Sequence, residues 1–240
     1  MVLIAAWEAA VRLGDIAPFV LPAPSQIAAT ALERADLLGP HVVTTATEAV
    51  LGLALGATVG WALAVLTATV PTTGQVAQPV VLLSQTVPTV VLAPLMILWA
   101  GYGITAKVVL VALTVFFPVL VAASAAIRDV DAEHADMVAG LGGTRRHQLW
   151  LVRLPASVPG ALAGLRIAAT YAVGAAVVSE YLAGESGIGV LIQRSRKAYA
   201  VDQIFVGIAL IAILSGLMVL AIVALRRAVT PWQASPAPRP

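Results

Sequence analysis

The chain has 240 residues, of which only 11% are charged, with a formal net charge of +2 and a mean hydropathy of +0.96. Ordinary soluble domains carry about 25% charged residues, and a chain this apolar has too little polar surface to stay in water. Residues 49–106, 108–127 and 203–225 contain no Asp, Glu, Lys or Arg, and a spanning helix needs about 20 mostly apolar residues, so a soluble fold is excluded and an all-α polytopic membrane protein with at least four spans is expected.

Residues 1–13 are apolar apart from Glu8 and Arg12 and read as a first span too short to cross alone. Either the start lies upstream or this span is stubby. The opening has neither a basic n-region nor a small-residue cleavage site, so no cleavable signal is expected. Pro18, Pro22 and Pro24 then break the chain, and Ser25 is predicted to cap an amphipathic helix lying at the interface to about Ala35. The second span is predicted over 41–69, where Gly52, Gly56 and Gly60 recur every four residues. Each glycine costs about 1 kcal/mol of helix propensity against alanine, and together they make one flat face that another helix can approach closely. The third span, 76–99, contains Pro79, Pro88 and Pro94. Broken helices survive at membrane depth where neighbouring helices or a water path satisfy the freed carbonyls. This span reads either as a pathway-lining helix, with Gln85, Thr86, Pro88, Thr89 and Trp99 as candidates, or as a kinked packing helix. A short turn from Gly101 to Lys107 leads into the fourth span, 106–127. The fifth follows at 158–178, then a loop over 182–200 and a sixth span at 203–225. Residues 1–230 form a single transmembrane domain, and the Pro-rich 231–240 is expected to be a disordered tail.

Between the fourth and fifth spans lies a polar stretch, 131–155, carrying Asp131, Glu133, Asp136, Arg145, Arg146 and Arg153. Its first half reads as a short helix with acidic residues in the opening turn, where they suit the helix dipole. Gly142-Gly143 ends that helix, Thr144 can cap a second, and Pro155 and Pro159 suit the entry into the next span. A folded water-side element between two spans offers a handle to something outside the membrane. Charges inside spans are costly, about 2.5–3.5 kcal/mol at the bilayer centre on insertion scales. Glu48 and Glu180 lie near span ends and are expected to snorkel to the interface. Arg166 is expected to pair with a carbonyl or reach the surface rather than bind substrate.

No catalytic set is visible. His41, His134 and His147 lack metal-ligand spacing, there is no G-x-x-x-x-G-K-[ST] loop to cradle ATP, and no cysteine is present. The basic residues form no track interleaved with aromatics, so nucleic acid is not expected as a partner.

Gly142, nine residues and then Val152-Arg153-Leu154-Pro155 resemble the cytoplasmic signature of importer permeases of ATP-binding-cassette (ABC) transporters. That signature runs Glu-Ala-Ala, three residues, Gly, nine residues, Ile-x-Leu-Pro. Asp136-Met137-Val138 stand at the Glu-Ala-Ala positions, with the acid one carbon shorter and both alanines replaced. Leu21-Pro22-Ala23-Pro24-Ser25, Ala93-Pro94-Leu95, Trp99-Ala100-Gly101-Tyr102-Gly103, Phe116-Phe117-Pro118, Gly164-Leu165-Arg166 and Ser186-Gly187-Ile188-Gly189 also occur. Their order is similar to that of the subgroup importing nitrate, sulfonates, taurine and thiamine-precursor pyrimidines. The resemblance covers Trp7 to Arg227.

The resemblance implies a type I importer fold of about six transmembrane helices with a cytoplasmic coupling helix between spans four and five. It implies that Glu133, Asp136, Met137, Gly140, Leu141, Gly142, Arg145, Leu154 and Pro155 couple to a separate ATPase subunit. ATP and magnesium would be held there, so that this chain is no enzyme and binds no cofactor or metal. Further implied partners are a second permease copy, membrane lipid and an extracytoplasmic binding protein near Ser186, Gly187 and Gly189 in a tight re-entrant turn. The implied location is the bacterial inner membrane with 131–155 in the cytoplasm. Charge alone does not orient the chain, with seven Lys and Arg on that side and six on the other. The Ala-Pro-Leu and Phe-Phe-Pro pieces look closest to permeases for thiamine-precursor pyrimidines, with sulfonate, taurine or nitrate next. The alternative is an ATP-independent secondary transporter or channel subunit, which calls for an inverted repeat or ionisable residues along the spans; the sequence shows neither.

Overall fold

In lipid, an apolar segment must satisfy its own backbone N–H and C=O groups, and the α-helix does so locally. The computed structural model describes residues 2–69, 88–130 and 132–231, and the regular elements among them are all helical. In chain order they are α1 (Val2–Leu13), α2 (Pro24–Glu33), α3 (Ala35–Thr69), α4 (Thr89–Ala100), α5 (Ile104–Arg128), α6 (Ala132–Gly140) and α7 (Arg145–Gln148). A π-helical turn (Leu149–Arg153) leads into α8 (Leu154–Ala183), followed by α9 (Ile188–Lys197) and α10 (Val201–Val229). Four helical stretches are long and apolar enough to cross a membrane: α3, α5, Arg145–Leu182 and α10. Helix α1 spans about 18 Å at 1.5 Å per residue, against a hydrocarbon core of about 30 Å.

The predicted glycine face is real. A Cβ at Gly52 would lie 2.4 Å from Val111 Cβ, at Gly56 2.5 Å from Val115 Cγ2, and at Gly60 2.5 Å from the Phe116 carbonyl. The rising order of these partners makes α3 and α5 parallel. Helix α8 runs antiparallel to α5, with Gly160 against Ala126 and Gly164 against Ala122 and the Pro118 carbonyl. The core between the three helices is built of small side chains, among them Ala49, Val111, Val115, Ala168, Ala172 and Val173. Lipid tails are as apolar as such a core, so close backbone approach rather than water exclusion holds these helices together.

These directions give the bundle two distinct ends. The starts of α3 and α5, the close of α8 and the whole of α9 share the first end. The closing turns of α3 and α5, helices α6 and α7, and the start of α8 share the second.

Several predicted boundaries shift. Helix α3 starts at Ala35 rather than 41 and carries Pro40 inside it; α8 starts at Leu154 rather than 158, because Pro155 fits a first turn that needs no N–H. Helix α10 runs from Val201 to Val229 rather than 203–225. Ser25 is not an N-cap: α2 begins at Pro24, with Ala23 at the cap position and no side-chain cap bond. The Ser25 hydroxyl instead donates to Glu8 Oε1 at 2.7 Å, beside the Arg12–Glu8 ion pair. Of the third predicted span, 88–99 is described, with α4 opening at Thr89; its earlier part, with Gln85 and Thr86, lies outside the described residues, as does the tail from 232.

Candidate functional site

At the second end, α6 stops in a two-glycine turn. Gly142 has φ +82°, which favours glycine; its N–H donates to the Ala139 carbonyl and the Gly143 N–H to the Val138 carbonyl, both at 2.9 Å. This pair of bonds is the Schellman arrangement. Gly143 has its own reason, since a Cβ there would sit 2.6 Å from the Val138 carbonyl oxygen. Thr144 caps α7 as predicted, accepting from the His147 N–H, while its own N–H donates to His147 Nδ1 at 3.1 Å. The sequence had not pointed to His147, because Glu or Gln ordinarily fills that reciprocal position.

Helix α7, the π-helical turn and α8 follow without a break, so the second helix of the polar stretch and the fifth span, predicted at 158–178, form a continuous helical rod from Arg145 to Leu182. The Leu154 N–H closes the π turn on the Leu149 carbonyl. Glu133 lies in the first turn of α6. Asp136, Gly140, Arg145 and Pro155 are exposed, and Met137 and Leu141, four residues apart, are 62% and 83% exposed. Leu154, grouped with them by the resemblance, is buried against Leu120, Ile127 and Leu149. It anchors the rod to α5 and offers no surface of its own.

A cavity of about 360 Å³ lies between α4, α5 and α8, lined by Pro88, Thr114, Thr170, Tyr171, Gly174 and Ser179 together with apolar Ala93, Leu110, Ala175 and Val178. Of the predicted pathway residues, Pro88 lines it. Trp99 is 71% exposed and does not, because it sits in the last turn of α4. The α8 contribution was missed, although Thr170, Tyr171, Gly174 and Val178 form a readable stripe with helical spacing. Thr170 Oγ1 donates to the Ile167 carbonyl at 2.6 Å and Ser179 Oγ to the Ala176 carbonyl at 2.7 Å. What these hydroxyls offer a passing molecule is therefore acceptor lone pairs. Arg166, one turn before Thr170, is exposed and donates to no carbonyl among the described residues, so of the two expected alternatives the carbonyl pairing is not seen and the side chain is open.

At the first end, the expected snorkelling of Glu48 and Glu180 is overturned: each is 1% exposed. Glu48 Oε1 pairs with Lys107 Nζ at 2.8 Å, so Lys107, expected in an exterior turn, is buried in α5. A buried pair satisfies what an isolated charge could not. Glu180 lies beside Glu48 and takes a hydrogen bond from Thr45 Oγ1 at 2.6 Å and from the Gly189 N–H at 2.7 Å. The Ser186–Gly189 turn is tight, as expected, with Gly187 at φ +120°. Gly187 and Gly189 are buried, and only Ser186 of the three candidate contact residues is partly open. Among the described residues no group of three or more His, Asp or Glu converges as a metal site would.

An all-helical bundle with several membrane-crossing helices, a cavity among them and a rigid polar element at one end defines a polytopic transport subunit. Residues 45–234 match the family of binding-protein-dependent transport system inner membrane components, and the chain belongs to that family; it is an ABC importer permease. It is 32% identical over 238 residues to the taurine transport system permease protein of Escherichia coli, covering 96% of this chain and 86% of that protein. To the formylaminopyrimidine transport permease protein of Halalkalibacterium halodurans it is 30% identical over 235 residues, covering 97% and 93%. Its fold is similar to that of the MetNI methionine ABC transporter in inward-facing conformations, with a TM-score of 0.72 at 20% identity, covering 82% of this chain and 98% of that one.

Proposed function

We propose that the chain is half of the translocation pathway of a bacterial inner-membrane importer for a small polar nutrient. It pairs with a second copy of itself, two ATPase subunits and an extracytoplasmic binding protein. The observation that carries this reading is the unbroken helical rod from Arg145 to Leu182, which joins the polar element at one end to the cavity wall. The ATPase subunit seats on α6 and its closing turn, where Met137 and Leu141 stand exposed beside Asp136. Closure of two ATPase subunits then turns α6 and α7, and the rod carries that motion to Thr170, Tyr171 and Ser179. The binding protein meets the opposite end, around Ser186 and α9.

For the substrate, the favoured class is a thiamine-precursor pyrimidine, with sulfonate, taurine or nitrate next. No charged side chain lines the cavity among the described residues, and Thr170 and Ser179 present acceptors. That lining suits the N–H donors of an aminopyrimidine better than an alkanesulfonate without an amine, which has only acceptors to offer, or the full charges of zwitterionic taurine. The test is uptake into vesicles containing the reconstituted complex, together with a binding panel on the cognate binding protein. Uptake is expected to require ATP, and the binding protein to prefer the pyrimidine. Transport without ATP overturns the importer reading, and affinity for alkanesulfonates alone overturns the substrate.

A further inference from the structure

The first N–H groups of a helix have no partner within it, and those at the start of α9 are served by side chains of α3 and α8. Gly187 N–H donates to His41 Nδ1 at 2.9 Å, Ile188 N–H to Thr45 Oγ1 at 2.9 Å and Gly189 N–H to Glu180 Oε2 at 2.7 Å. Thr45 passes the link on, donating to Glu180 Oε1 at 2.6 Å. One carboxyl thus gathers α3, α8 and the turn into α9, at the helix end where negative charge is favoured. The fit leaves no slack: a Cβ at Gly187 would lie 2.1 Å from Glu180 Cδ, and one at Gly189 2.2 Å from the Val177 carbonyl oxygen. The neighbours of Glu180 on α8, Ser179 and Val178, line the cavity. The far turn of α9 presents exposed Arg194, Arg196 and Lys197.

We infer that Glu180 is a positioning residue that makes the α9 hairpin and the cavity wall move as one body, so that a protein pressing on the hairpin shifts the lining of α8. This rests on the reading that a binding protein docks at this end. Glu180→Gln is the informative change, because it keeps the size and shape of the side chain, replaces one hydrogen-bond acceptor oxygen by an amide donor, and leaves the Glu48–Lys107 pair in place.

The test uses the full complex in lipid nanodiscs, with the binding protein loaded in separate arms with taurine and with a formylaminopyrimidine. In Glu180→Gln, basal ATPase activity is expected to stay within about two-fold, and the binding-protein concentration for half-maximal stimulation to be unchanged. Maximal stimulation is expected to fall about ten-fold or more. The chain has no cysteine, and the Thr44 and Ser186 hydroxyls lie 3.3 Å apart, so Thr44→Cys with Ser186→Cys can bolt the hairpin to α3. Oxidising that pair in the Glu180→Gln background is expected to restore stimulation, and reducing it to remove it again. If Glu180→Gln does not assemble, Thr45→Val cuts the same links from the α3 side, with the same expected loss and rescue. Normal stimulation in the variant, or a loss the disulfide does not repair, overturns the inference. A wild-type complex that the binding protein stimulates in neither arm overturns the docking reading, and the inference with it.

Discussion

Lys107 shows how much one residue can hold in an apolar bundle. It is the cation paired with the buried carboxyl of Glu48, whose Oε2 already lacks a hydrogen-bond partner among the described atoms. Removing one member of a buried pair costs roughly 3–5 kcal/mol, because it strands the other. Lys107→Met is therefore expected to lower the melting temperature in detergent sharply, and adding Glu48→Gln to recover part of the loss. An unchanged melting curve for Lys107→Met would show that the pair contributes nothing. Gly142 holds a different kind of constraint. At φ +82° it has open space around it, so a substitution there strains the backbone without filling a void. Gly142→Val is expected to cost roughly 1–3 kcal/mol locally and to reduce co-purification of the ATPase subunit while membrane insertion stays normal. Transport at the wild-type rate would argue against the docking role of α6.

Among the elements, the α3–α5 pair depends most on what is missing from its surface. Gly56 leaves room for the Val115 side chain and the Ala112 carbonyl, and overpacking such a contact costs about 1–3 kcal/mol. Gly56→Leu is expected to lower the yield of monodisperse protein in size-exclusion chromatography. Gly216→Leu, on α10 with nothing within 4 Å of the added Cβ, is the control expected to behave as wild type. Equal losses in both would mean that the glycines matter for insertion and not for packing. The four-residue glycine period was visible in the sequence because it repeats along one helix. The answering face on α8, Gly160 and Gly164, also repeats, but nothing in a single sequence says that it meets Ala126 and Ala122.

At the scale of the whole molecule, one continuous helical rod, Arg145–Leu182, joins the polar element to the cavity wall. Filling the cavity should therefore stop transport without disturbing the docking end. Gly174→Trp, on the α8 stripe that lines the cavity, is expected to bring uptake in vesicles to background while the ATPase subunit still co-purifies. Uptake near the wild-type rate would place the pathway elsewhere.

What the sequence determined by itself is whatever depends on neighbours along the chain. Charge-free runs set the spans, Gly142 set a helix end, Thr144 set a cap, and the spacing from Gly142 to Pro155 marked the polar element. Glu48, Lys107 and Glu180 escaped it: each was expected to reach water, because a lone charge in a span has no cheaper course. Only the folded bundle brings together residues 59 positions apart and more, and in doing so gathers three costly ionisable groups into a buried cluster. The cavity belongs to the same category. Its lining comes from three helices, and no local rule says which faces of those helices will turn toward one another.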